Sequence, residues 1–174
     1  MVSLFLFLCY NYFMKSRDIT LIGIFSAILF LVDQVLSFVP FLQLTMLLII
    51  LFSKKLGLIK TSLIIIVFIT LDYLIAGFDI LFFTFTLIGW LIISVLSTTL
   101  FKKSNNIWMI AIQSILFSFL YSWIYIIPSC LVIETSVIDY LKVDILFELS
   151  LAASSFISVI LLYKPLDKII DRFI

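Results

Sequence analysis

Apolar runs of about 20 residues, the length a membrane-spanning helix needs, recur along this chain with only brief polar breaks between them. Five stretches meet or approach that length: residues 19–38, 57–76, 80–101, 107–127 and 143–163. A sixth, residues 41–52, is short and needs its flanks or a locally thinned bilayer to cross. The pattern predicts an all-α integral membrane protein: one six-helix domain over residues 14–174, with no soluble domain and no long linker.

The breaks define the expected turns. Val39-Pro40 ends the first helix, because proline disfavours helical geometry at the residue before it, and Phe41-Leu42-Gln43 re-enters the membrane at once. Ser53-Lys54-Lys55-Leu56-Gly57 makes the next turn. The third helix ends near Ala76-Gly77, and Asp79 opens the fourth, where a carboxylate suits a helix N-terminus. A plain polar turn over residues 102–106 follows. Pro128 stops the fifth helix, leaving residues 129–142 as the longest loop, and Lys164-Pro165-Leu166 closes the sixth. Residues 1–13, MVSLFLFLCYNYF, are apolar but too short to span, and they carry neither the charged start nor the cleavage site of a signal peptide. Lys15, Ser16, Arg17 and Asp18 read as a leader to the first helix, so translation is expected to begin at Met14.

Composition strengthens the membrane assignment, since 65% of residues are hydrophobic against roughly 45–50% in soluble domains. Charge adds a direction. Lys15, Arg17, Lys54, Lys55, Lys60, Lys102, Lys103, Lys164, Lys168 and Arg172 all fall on one side, with only Lys142 opposite. Basic residues in short loops favour the cytoplasm, so both termini are expected there. Asp33, Asp72, Asp79, Glu134, Asp139, Asp144 and Glu148 fall at or near the outer face, a sidedness that the net charge of +1 conceals. No basic run suggests nucleic acid as a partner.

Much chemistry is excluded. The chain has no histidine, which removes His-based acid–base pairs and His-ligated metals. Cys9 and Cys130 are far apart and form no CxxC. No GxxxxGK[ST] sequence occurs, so ATP hydrolysis through that motif is absent. Paired-aspartate proteolysis needs two carboxylates facing each other at depth, whereas Asp33 and Asp72 are expected near the surface. Neither enzyme activity, nor a metal, nor a cofactor is expected.

Binding chemistry remains. In residues 19–40, Gly23, Ser26 and Ala27 put small side chains near one stripe, where another helix can approach, either within this domain or from another subunit. Asp33 and Gln34 then place polar groups within the apolar layer. At about 100° per residue, Gly23, Ala27 and Gln34 share a stripe and Asp33 points about 100° away. Asp33 therefore faces the bundle interior, or snorkels and pairs with Lys142. Asp144 and Glu148, four apart, share one face of the last helix, continued by Leu151, Ser155 and Ser158. Asp144 also suits a helix start; Glu148 lies a turn deeper. Asp72-Tyr73 has similar standing near the top of the third helix. Tyr121, Trp123 and Tyr125 form an aromatic belt or stack on a ligand. Gln113 is expected to hydrogen-bond a neighbouring helix. The candidate substrate-binding set is Asp33, Asp72, Tyr73, Asp79, Tyr125, Asp144 and Glu148.

Several stretches carry a family resemblance: GIFSAILF with LSFVPFLQL at the first hairpin, LDYLIAGFD, and LLYKPLDKII near the end. With six helices and both ends inside, the chain resembles the substrate-binding S components of energy-coupling factor (ECF) transporters, bacterial vitamin-uptake systems. The resemblance implies a multi-pass protein of the bacterial plasma membrane that binds a vitamin-like molecule towards the outer face. It also implies partners: a transmembrane coupling subunit, meeting Gly23, Ser26 and Ala27, and two ATPase subunits. Gly23 replaces the alanine usual in that pattern. Carboxylates at the mouth suggest a ligand of amine or cationic character. In size and apolar character the chain is also similar to MreD-type cell-shape proteins, structural membrane proteins without a ligand.

Overall fold

In the computed structural model, residues 15–38, 43–102 and 106–173 are described, and every regular element among them is a helix. In order these are α1 (Ser16–Leu36), α2 (Thr45–Leu56), α3 (Leu58–Ala76), α4 (Ile80–Thr99), α5 (Ile107–Ile133) and α6 (Val137–Ile170). Five of the six are long and apolar enough to cross a membrane, which makes the chain a multi-pass membrane protein. The expected start at Met14, the stop at Val39-Pro40, the re-entry at Phe41-Leu42 and Cys9 lie outside the described residues.

The exception, α2, is the centre of the bundle. Its 12 residues reach only about 18 Å at 1.5 Å per residue, short of a hydrocarbon core about 30 Å thick. It touches all five other helices, and residues 45–53 are buried without a break. A helix apolar on every side belongs inside a protein, and backbone at membrane depth is tolerated where protein surrounds it. Met46, Leu47, Ile49, Ile50 and Leu51 fill the middle of the core, with Phe52 against Phe25 of α1 at 4.8 Å between ring centroids. Packing puts α2 at the centre, while α1, which carries Gly23, Ser26, Ala27, Asp33 and Gln34, sits at the edge against α3. Ile24, Ile28, Leu31 and Val35 of α1 face outward.

A single residue, Gly57, joins α2 to α3. Its φ of 79° lies in the left-handed region that disfavours other residues, and its N–H closes α2 on the Ser53 carbonyl. Ion pairs then gather one end of the bundle. Lys55 holds Asp167 at 3.0 Å and Asp171 at 2.7 Å, tying α2 to the end of α6. Lys60 holds Asp18 at 2.6 Å, and Arg17 donates to the Phe173 carbonyl. The first and last described residues thus lie at the same, lysine-rich end.

Two expected helix ends differ. Pro128 lies inside α5 and Pro165 inside α6. Proline costs one backbone hydrogen bond, and membrane helices tolerate this where side chains take up the freed carbonyls. The carbonyl freed by Pro128 is that of Ile124; one residue on, the Ser129 hydroxyl donates to the Tyr125 carbonyl at 2.9 Å. The long loop expected over residues 129–142 shrinks to residues 134–136. Glu134 takes the left-handed conformation that ends α5, with φ of 54°. Ser136 caps α6, accepting from the Asp139 N–H and donating to its carboxylate. Continued through these turns, α5 and α6 form a long hairpin, and α6 packs more extensively on α5 than on any other helix.

Candidate binding site

At the end opposite the lysines, the chain closes around a cavity of about 510 Å³. The last turns of α3 contribute Asp72 and Tyr73, and the first turns of α4 contribute Asp79, Phe82 and Thr86. From α5 come Tyr121, Ser122 and Tyr125, and from α6 come Tyr140, Asp144, Phe147 and Leu151. Each helix end brings polar groups there because it passes out of the apolar layer. Aromatic rings form much of the wall. Phe82 and Tyr125 lie 5.3 Å apart between centroids, and Tyr121 stacks on Tyr125 at 6.2 Å. Tyr121 is backed from outside the cavity by Trp90 at 4.5 Å.

A glycine makes that backing possible. A Cβ on Gly89 of α4 would stand 3.0 Å from Tyr121 Cδ2 and 3.3 Å from Cε2. The bare backbone lets α4 and α5 approach closely enough for the tyrosine to lie flat between them. The Tyr73 hydroxyl bonds Thr86 across the α3–α4 contact at 2.9 Å.

The carboxylates are held in three different ways. Asp79 caps α4, accepting from the Leu81 and Phe82 N–H groups at 2.8 and 3.2 Å. Asp72 accepts from the Gln34 amide at 2.8 Å, which ties α1 to α3 at the cavity edge. Glu148, only 2% exposed, accepts from the Ser122 hydroxyl at 2.6 Å, and the same hydroxyl stands 3.3 Å from Asp144. Two carboxylates therefore share one hydroxyl between α5 and α6. Among the described residues, no lysine or arginine lines the cavity. A buried carboxylate without a compensating cation is costly, so positive charge brought by a ligand would be strongly favoured there.

The structure brings together Asp72, Tyr73, Asp79, Tyr125 and Asp144 in the cavity wall, with Glu148 just behind it. Asp33 stands apart. Neither pocket-lining nor paired with Lys142, it accepts from the Thr45 hydroxyl at 2.7 Å and fastens α1 to the start of α2, while Lys142 pairs with Asp139. Thr86, Ser122, Tyr140 and Phe147 complete the wall without having stood out in sequence, because single hydroxyls and rings are commonplace in apolar helices. Tyr121 and Trp123, grouped in sequence as a belt, divide: Tyr121 turns into the cavity, and Trp123 faces outward at 60% exposure. Gln113 bonds a neighbouring helix as expected, donating to Ser97 at 3.2 Å.

On α1, Gly23 and Ala27 face outward, and nothing lies within 4 Å of a Cβ built on Gly23. Ser26 does not share that face. It is fully buried against α3, with its hydroxyl 2.7 Å from the Ile22 carbonyl and 3.3 Å from that of Ile64. Serine here serves packing inside the bundle, as small residues do where membrane helices meet.

Fold and site together define a multi-pass helical membrane protein with an acidic, aromatic cavity at one end. The chain matches no protein-family model, no curated protein and no solved structure.

Proposed function

We propose that the chain is the substrate-binding subunit of an ECF-type uptake transporter, and that its cargo is a vitamin or related small molecule bearing a basic nitrogen. The observation that carries this reading is the composition of the cavity wall: three aspartates, a buried glutamate behind them, several aromatic rings and, among the described residues, no basic one. Aromatic faces and carboxylates together favour a cationic, flat ligand, through ion pairing and through attraction of the cation to the ring faces. In this reading the carboxylate-rich end faces outward from a bacterial plasma membrane and the lysine-rich end, with both termini, faces the cytoplasm. The outward-facing Gly23 and Ala27 surface of α1 supports docking of a coupling subunit, energised by two separate ATPases.

The test is mass spectrometry of small molecules that co-purify with the full chain in mild detergent, alongside the Asp144→Asn variant in the cavity wall. A stoichiometric amine-bearing molecule, depleted in the variant, is the expected result. Loss of the charge removes a charge-assisted contact, so affinity should fall about tenfold to hundredfold. A retained ligand without any basic nitrogen would sink the charge argument. A folded protein that retains nothing and binds no vitamin would move the assignment to a structural membrane protein of the MreD type.

A further inference from the structure

The lysine-rich end holds a second cavity, of about 400 Å³. Its wall takes Lys54 and Lys55 from the end of α2, Lys102 from just beyond α4, and Tyr163, Lys164 and Asp167 from α6. Four lysines from three parts of the chain thus line one space, with Asp167 the one carboxylate among the described residues of the wall. Lys55 is balanced by Asp167 at 3.0 Å and Asp171 at 2.7 Å, and Lys102 and Lys164 are the exposed cations of the wall. Alternate turns bring lysines to one end of the bundle; sharing one cavity wall is the further feature, which Lys168, exposed outside it, lacks. Converging like charges repel one another, and an anion between them relieves that repulsion. Lysine binds phosphate oxygens as a point charge with rotatable donors, and it suits a group that enters from the edge of the apolar layer.

We propose that this cavity is a binding site for a phosphate group. Two sources share that chemistry, the headgroup of an anionic phospholipid reaching the lysines at the end of α2, and a free phosphate from the aqueous side. Basic pockets between membrane helices are suited to the first. The proposal stands on this cavity alone and is independent of what occupies the opposite end.

The experiment uses the full chain in nanodiscs. Discs of mixed phosphatidylcholine and phosphatidylglycerol are examined by native mass spectrometry for lipid that stays bound after release. Discs of phosphatidylcholine alone are titrated with inorganic phosphate by calorimetry. Both are repeated with the Lys102→Ala/Lys164→Ala double variant and with Lys168→Ala. Lys102 and Lys164 are exposed near helix ends, so the double variant should melt like the parent when followed by tryptophan fluorescence. Retained phosphatidylglycerol, or phosphate bound in the neutral discs, is the expected result, and which of the two is seen names the source. Binding should weaken about 30-fold in the double variant, a factor of about five for each lysine near the surface, and hold in Lys168→Ala. Absence of both ligands overturns the proposal. So does an equal loss in Lys168→Ala, because the attraction would then belong to the whole face and not to the cavity.

Discussion

Gly89 offers a test of the packing that shapes the acidic cavity, with Gly23 as its internal control. Both glycines sit within long helices, α4 and α1, and alanine gains about 1 kcal/mol over glycine in a helix interior. At Gly23 that gain is unopposed, since a Cβ there meets nothing within 4 Å. At Gly89 the new methyl group would stand 3.0 Å from Tyr121 Cδ2 and 3.3 Å from Cε2. For carbon atoms with an optimum near ~3.8 Å and a well of ~0.15 kcal/mol, the closer contact is repulsive by about 1 kcal/mol and the second is close to zero. Tyr121 has little room to retreat, because Trp90 lies 4.5 Å from it and Tyr125 6.2 Å. Gly23→Ala is therefore expected to stabilise by about 1 kcal/mol, and Gly89→Ala to leave stability nearly unchanged. Helix propensity in a bilayer differs from that in water, but the comparison of the two sites cancels it. The assay is thermal unfolding in one detergent, read by tryptophan fluorescence, where a difference of about 1 kcal/mol corresponds to about 2–4 °C for a chain of this size. Gly89→Leu should fall clearly below the parent, since overpacking costs about 1–3 kcal/mol, and Tyr121→Ala should restore it in the double variant. Equal shifts for the two alanine variants, or no rescue by Tyr121→Ala, would refute the close approach of α4 and α5.

Three further outcomes are expected. Asp79→Ala should cost about 1 kcal/mol through loss of the α4 cap, whereas Asp79→Asn, which retains an acceptor, should stay within a few tenths by thermal unfolding. Thr45→Val should weaken the tie between α1 and α2 by about 1–3 kcal/mol because it leaves the Asp33 carboxylate without its hydroxyl donor, again read by unfolding. Replacing Gly23 and Ala27 together with leucine should leave ligand binding intact and abolish uptake in reconstituted vesicles. Loss of binding in that variant, with folding retained, would contradict a docking role for the outer face of α1.

Sequence alone determined the class of this protein. Runs of about 20 apolar residues admit few structures in a bilayer, because every backbone polar group must be satisfied within the segment. The five long helices follow from that single constraint. Five cavity groups, Asp72, Tyr73, Asp79, Tyr125 and Asp144, were legible for a related reason: polar side chains near the ends of apolar helices stand out, and alternate turns bring those ends together. A signal for the shorter loop was present in the chain, as Ser136 followed three residues later by Asp139, but the reading rested on proline at position 128, which breaks helices in water. Only the tertiary structure decided which short run lies at the centre. α2 looks deficient as a spanning segment, and it becomes the core because five other helices enclose it, a fact that no local pattern encodes. Tertiary packing also separated Asp33, spent on Thr45, from Glu148, placed behind the cavity with Ser122. It separated Ser26, turned inward, from Gly23 and Ala27 beside it. The direction of a side chain around a helix is fixed by its neighbours across space, and those neighbours are tens of residues away along the chain.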